Sequence, residues 1–143
     1  MSPSKRFKPI QKLASDKERK AATALGDALR VREEAERRLG ELCQYHAEYM
    51  ERFRATVAAG ATAATFRDYQ SFLDKLERAI NEQQEVVNKA EAQCARSKDA
   101  WRDRHAHSKA MDNAVERMQA SERKAGEKKE QNEQDDRNNQ RRP

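Results

Sequence analysis

Apolar residues recur at alternating steps of three and four along two stretches of the chain, from Ala14 to Phe53 and from Phe66 to Met118. This alternation averages about 3.5 residues per step, the heptad repeat of helices that wrap around one another. The segment between the stretches is too short for much except a reversal. The pattern therefore predicts an all-α fold, a long antiparallel two-helix coiled-coil hairpin. Its predicted seam residues are Leu25, Leu39, Leu42, Phe53, Phe66, Tyr69, Leu73, Leu76, Ile80, Val87, Trp101, Met111 and Val115.

Small, uncharged residues mark the predicted turn over residues 58–64. Gly60 can adopt the left-handed conformation that ends a helix. Thr65 is followed three residues later by Asp68, which is the spacing of a helix N-terminus. The sequence therefore predicts a first helix over residues 10–57 and a second over residues 65–124.

The two ends of the chain are expected to differ from the hairpin. Pro3 and Pro9 disfavour a helix interior, so residues 1–9 are predicted to be a flexible, basic N-terminus. Residues 125–143 carry almost no apolar side chain. Such a segment cannot bury enough surface to offset the entropy lost on ordering, and it is predicted to be a disordered, charged tail.

Charge is abundant and unevenly placed. Charged residues make up 38% of the chain and aromatic residues 6%, which suits helices with solvated outer faces. Residues 1–20 are basic, whereas acids outnumber bases between residues 31 and 95. This polarity can orient the protein before contact with a partner, although an ordinary solvated surface explains most of the charges equally well. No apolar run is long enough for a membrane span or a secretory signal, so a cytoplasmic protein without direct membrane insertion is expected.

The two cysteines are predicted to be reduced. A turn near Gly60 places Cys94 opposite Ala28 and places Cys43 near Ala79. The resulting offset between the two thiols is about 22 Å along the helix axis, which is far beyond disulfide reach. Both cysteines are therefore expected to be packing thiols.

No arrangement of residues indicates an enzyme. The chain has no phosphate-binding glycine loop and no nucleophile with a plausible base. His105 and His107 are two residues apart and point away from each other on a helix, so they cannot chelate a metal as an i, i+4 pair does. His46 lies in the predicted seam, where a polar residue usually sets the register. We expect no catalytic residue, cofactor or metal.

Two aromatic residues lie beside the seam rather than in it. Tyr45 on the first helix and Phe72 on the second come together on one flank near the turn if the helices pair as predicted. Aromatic rings that are partly exposed in this way are typical of protein interfaces. The alternative is a wide core face on which these rings only cover the edge of the seam.

The residues around the predicted turn resemble the FliJ family of the bacterial flagellar type III export apparatus. The resemblance is carried by the spacing of Leu39, Leu42, Tyr45, Glu48 and Tyr49 before the turn and of Tyr69, Phe72, Leu73, Leu76, Ala79, Ile80 and Gln83 after it. The basic start, the length and the charged tail of the chain are also similar to those of the family.

The resemblance implies a stalk-like coiled coil with three kinds of partner. The helix ends would insert into the hexameric ring of the flagellar export ATPase, and a patch near the turn would bind the cytoplasmic domain of the membrane export gate. Export chaperones would also bind, and the protein would lie at the inner face of the membrane at the flagellar base. The implied gate-binding residues are Leu42, Tyr45, Tyr49, Phe72, Leu76, Ala79 and Gln83.

Three other functions remain open from the sequence. The nearest is the equivalent stalk of a virulence-type injectisome, which has the same shape and position. A basic coiled-coil arm that binds nucleic acid is disfavoured, because the basic residues are mixed with acids and lack interleaved aromatics. A scaffold that pairs between chains is the third, since the same heptads can form intermolecular contacts.

Overall fold

The computed structural model describes residues 2–141, which form two α-helices and no strand. Helix α1 spans Pro3–Ala58 and helix α2 spans Ala63–Arg141. The two helices pack against each other in antiparallel orientation, so the predicted all-α hairpin is confirmed. Two compact units can be distinguished: a turn unit, Thr23–Asp99, and a terminal unit formed by the chain before and after it. The predictions made for residue 1 and residues 142–143 lie outside the described residues.

The turn between the helices comprises residues 59–62 and is shorter than the predicted segment. Gly60 has a φ of 93°, the left-handed conformation that glycine adopts without steric cost. The cap of α2 is Thr62 and not Thr65: the Thr65 backbone N–H donates to Thr62 Oγ1 at 3.2 Å. Because α2 begins at Ala63, the N–H of Thr65 is one of the donors that a helix leaves unpaired at its start, and Thr62 satisfies it.

Helix α1 starts at Pro3, seven residues before the predicted start. The prediction of a flexible segment over residues 1–9 is therefore wrong from Pro3 onward. Proline at the first helical position loses no hydrogen bond. Pro9 lies inside the helix, where proline is costly, and this end of α1 is held to α2 by Ser4. The Ser4 backbone N–H and hydroxyl donate to the Glu122 carboxylate at 3.0 and 2.7 Å. These hydrogen bonds hold the pKa of Glu122 below its usual value.

The end of α2 also differs from the prediction. The helix continues beyond residue 124 to Arg141, and the disordered tail is not shown. Side chains from residue 123 to 141 are exposed. The segment is rich in good helix formers, and Lys129, Glu133 and Arg137 follow one another at steps of four, where opposite charges support a helix. Local propensity, rather than packing, therefore accounts for this part of α2.

Truncation after Lys124 is expected to change the melting temperature by no more than about 2 °C, because exposed side chains contribute little to stability. Circular dichroism should record a smaller helical signal and an unchanged transition. A matched truncation before Val115, which is 3% exposed, removes packed residues and should lower the melting temperature clearly. Equal effects of the two truncations would contradict this prediction.

The interior of the turn unit is built largely from small and aliphatic side chains. Val87 packs with Ala35 and Ala90, and Leu39 lies against this cluster. Alanine on both helices allows their backbones to approach closely. Of the predicted seam residues, Leu73, Leu76, Val87 and Val115 are buried, Phe66 is 39% exposed, and the others are partly buried.

Hydrogen bonds between the helices confirm the register that the turn predicts. The Cys94 thiol donates to the Ala28 carbonyl oxygen at 3.1 Å, and Ala28 is the residue that the sequence places opposite it. Both cysteines are free, and Cys94 is buried as expected of a packing thiol. The prediction for Cys43 is wrong in one respect, because this residue is exposed.

The terminal unit contains a polar contact that the heptad pattern does not predict. Arg104 is exposed, whereas its neighbour His105 is half-buried. The His105 ring stacks on Trp101 with centroids 4.9 Å apart, and its Nδ1 lies 2.5 Å from Glu18 Oε1. The hydrogen bond with His105 holds the pKa of Glu18 below its usual value.

Candidate protein-binding surface

Six aromatic rings cluster beside the turn, within the turn unit. Three of the rings come from α1 and three from α2, and each ring lies close to at least one ring of the opposite helix. Their centroids are 4.4 to 6.2 Å apart, the range in which aromatic pairs attract one another. The rings belong to Tyr45, Tyr49, Phe53, Phe66, Tyr69 and Phe72.

Tyr45 and Phe72 form the outer edge of this ring cluster. Their centroids are 6.0 Å apart and the planes meet at 82°, an edge-to-face arrangement. Tyr45 is 43% exposed, and Phe72 is half-buried. The structure therefore brings the two rings together on one flank, as the antiparallel pairing predicts.

Tyr49 lies at the centre of the cluster. Its ring is 4.4 Å from Phe72, 5.1 Å from Tyr69 and 6.2 Å from Tyr45. Tyr69 in turn approaches Thr56, with 3.3 Å between the two hydroxyl oxygens. Tyr49 thus packs against both outer rings, Phe72 and the more exposed Tyr45.

The seven residues implied in gate binding do not share one environment. Leu42, Tyr49, Phe72, Ala79 and Gln83 are partly buried and Tyr45 is exposed, whereas Leu76 is only 7% exposed. A side chain this buried offers little surface to a partner, so Leu76 acts as support for the patch. Direct binding by the other six stays a prediction.

Gln83 has a structural role of its own. Its side-chain Nε2 donates to the Ala35 carbonyl oxygen across the two helices at 3.0 Å. His46, the polar residue predicted in the seam, is half-buried, with Nε2 3.5 Å from Glu77 Oε1. His46 Nε2 is buried and makes no hydrogen bond with a described residue, so of these two side chains only Gln83 joins α1 to α2 by a hydrogen bond.

The charges on α1 near the patch are largely paired with one another. Arg37 bonds both Glu34 and Glu41. The hydrogen bond with Arg37 lowers the pKa of Glu34, and the same bond raises the pKa of Arg37. Arg38 forms no salt bridge with a described residue, although its charge also lowers the pKa of Glu34.

Two exposed valines on the same flank were missed by the reasoning from sequence. Val31 is 60% exposed and Val86 is 47% exposed. A signal for them exists: Val31 stands two heptads before Tyr45, and Val86 two heptads after Phe72. Positions one heptad apart lie on one side of a helix in a coiled coil, so the flank of the ring pair continues along both helices.

The structure also bears on membrane and metal binding. Over the residues that it describes, neither helix contains an apolar stretch long enough to cross a bilayer. Within residues 2–141, no three of the His, Cys, Asp and Glu side chains are grouped so that they could hold a metal ion.

Comparison with known proteins identifies the family. The model of the flagellar FliJ protein family matches residues 3–142. The flagellar FliJ protein of Escherichia coli (strain K12) is 28% identical over 109 residues, which cover 76% of this chain and 74% of that protein. No solved structure matches the chain. Because the family match spans nearly the whole chain, this protein belongs to the FliJ family and is a component of flagellar protein export.

Proposed function

We propose that this protein is a non-enzymatic coupler, which links the flagellar export ATPase to the cytoplasmic domain of the membrane export gate and binds export chaperones. The observation that carries the proposal is the partly exposed ring pair of Tyr45 and Phe72 on one flank beside the turn. These two positions are among those that the family resemblance assigns to gate binding.

The ring pair suits a protein partner for physical reasons. Partly exposed aromatic rings bury a large area on association and lose little side-chain entropy. Tyr49 packs against Phe72 in the free protein, so the surface is already ordered before a partner binds. Leu76 would support this surface from within. The residues that would contact the gate are Leu42, Tyr45, Tyr49, Phe72, Ala79 and Gln83.

The ATPase ring would be bound by the terminal unit. Lys5, Lys8 and Lys12 line an open groove of about 640 Å³ together with Asp112. An excess of exposed lysine favours a partner with acidic loops and speeds association with it. Peripheral association with the membrane would then follow from gate binding alone.

Alanine substitution of Tyr45 or Phe72 is expected to weaken binding to the purified cytoplasmic domain of the gate by roughly tenfold or more. The helical content should stay the same, because these rings lie at the edge of the cluster. Calorimetry with the gate domain measures the affinity, circular dichroism measures the helicity, and swimming in soft agar reports motility. The matched control is Val57→Ala, which removes an apolar side chain that is 44% exposed and outside the patch.

Two results would contradict the proposal. Unchanged gate binding in both ring variants would show that the patch is not the binding surface. A loss of helicity in the same variants would show instead that the rings are part of the core. Binding of DNA or RNA with a steep salt dependence would favour the nucleic-acid alternative.

A further inference from the structure

An apolar groove runs between α1 and α2 on the flank that carries the ring pair, farther from the turn. One part has a volume of about 520 Å³ and is lined by Val31, Val86 and Gln83 among others. A second part of about 320 Å³ is lined by Val31, Ala24 and Gln93 among others. Since Val31 lines both, the two parts form one continuous groove within the turn unit.

The shape of this flank groove suits a helix. Ala28, Ala35 and Ala90 line its floor and are buried, so the floor carries no large side chain that would fill the groove. On α1 the lining extends from Ala24 to Arg38, which is about 21 Å or four turns of helix. The exposed valines, Val31 and Val86, flank this floor and can insert between side chains of a third helix that keeps the same heptad repeat.

Charges around the flank groove indicate the charge of the partner that it would bind. The two lining carboxylates on α1 are already paired, Asp27 with Arg30 and Glu34 with Arg37. Arg38 also lines the groove and forms no salt bridge with a described residue. A guanidinium in this position favours a carboxylate on the partner, because charge-assisted hydrogen bonds strengthen where the interface excludes water.

We propose that the flank groove binds one amphipathic, acidic α-helix of a partner protein. Aliphatic side chains of that helix pack on Val31 and Val86, and one of its carboxylates pairs with Arg38. The flank groove is separate from the ring pair of Tyr45 and Phe72, and this proposal does not depend on gate binding.

The test uses the full chain and two designed peptides of about 28 residues, long enough to form a helix. Both peptides carry the same apolar heptad positions, with glutamate beside them in one and lysine in the other. Fluorescence anisotropy should record micromolar binding of the acidic peptide and roughly tenfold weaker binding of the basic one. Val86→Asp should abolish binding of the acidic peptide, and Arg38→Glu should reverse the preference between the two peptides.

Matched control variants distinguish binding in the flank groove from nonspecific electrostatic attraction of the acidic peptide to a basic protein. Arg54→Glu makes the same charge change at an exposed arginine outside the groove, and Val57→Asp introduces the same carboxylate at a valine of similar exposure. Both should bind the acidic peptide as the unaltered protein does, and so should Tyr45→Ala. Circular dichroism verifies that every variant is helical.

Three results would overturn the proposal. They are no binding of the acidic peptide, equal weakening by Arg54→Glu and Arg38→Glu, or binding that survives Val86→Asp. Analytical ultracentrifugation adds a fourth: self-association of the chain that Val86→Asp abolishes would show that a second copy occupies the groove. Because Tyr45→Ala affects only gate binding, failure of this proposal is distinguishable from failure of the proposed function.

Discussion

Val87→Asp is expected to unfold the turn unit, the largest effect of any substitution considered. Val87 is 3% exposed and packs with Ala35, Ala90 and Leu39, so the new carboxylate would be buried without a partner. Burial of an unpaired charge costs several kcal/mol, and a domain of this size is typically stable by only about 5–15 kcal/mol. Thermal melting followed by circular dichroism should show a transition lowered by about 10 °C or more, or none at all.

The neighbouring residue provides the control for this prediction. Val86 is 47% exposed, so Val86→Asp places the same carboxylate in water and should change the melting temperature little. The contrast tests the heptad assignment directly, since only one of two adjacent valines faces the interior. Similar melting temperatures for the two variants would show that the seam does not run through Val87.

Tyr49→Ala is expected to produce the second-largest loss, about 2–4 kcal/mol in the free energy of unfolding. Its ring contacts those of Tyr45, Tyr69 and Phe72, so the substitution removes three aromatic pairs and leaves a cavity beneath the patch. Urea denaturation of the purified protein measures the change. Tyr45→Ala is the matched control, because this ring is 43% exposed and should contribute about 1 kcal/mol or less.

The comparison between the two tyrosines also decides how binding data should be interpreted. Weaker gate binding by Tyr49→Ala would follow from a distorted patch, whereas weaker binding by stable Tyr45→Ala would report a lost contact. Equal stability of the two variants would contradict the central position of Tyr49 in the cluster. Helicity and unfolding free energy should therefore be measured before affinity in each variant.

The sequence by itself determined the fold and its register. Two heptad series separated by a short segment with Gly60 can bury their apolar faces only by folding back on each other. The position of the turn then sets which residues face each other, and so Cys94 meets Ala28. The same register brings Tyr45 to Phe72, which is why the candidate surface could be predicted without coordinates.

Only the tertiary structure decided the ends of the helices and the exposure of individual side chains. Pro3 begins α1 because Glu122, distant in sequence, accepts hydrogen bonds from Ser4. His105, which the predicted seam does not include, lies between the helices because it stacks on Trp101 and pairs with Glu18. Spacing along a helix determines which face a residue lies on, but the side chains opposite decide how deeply it is buried. For this reason Leu76 is 7% exposed and Phe66 is 39% exposed, although the same pattern predicts both in the seam.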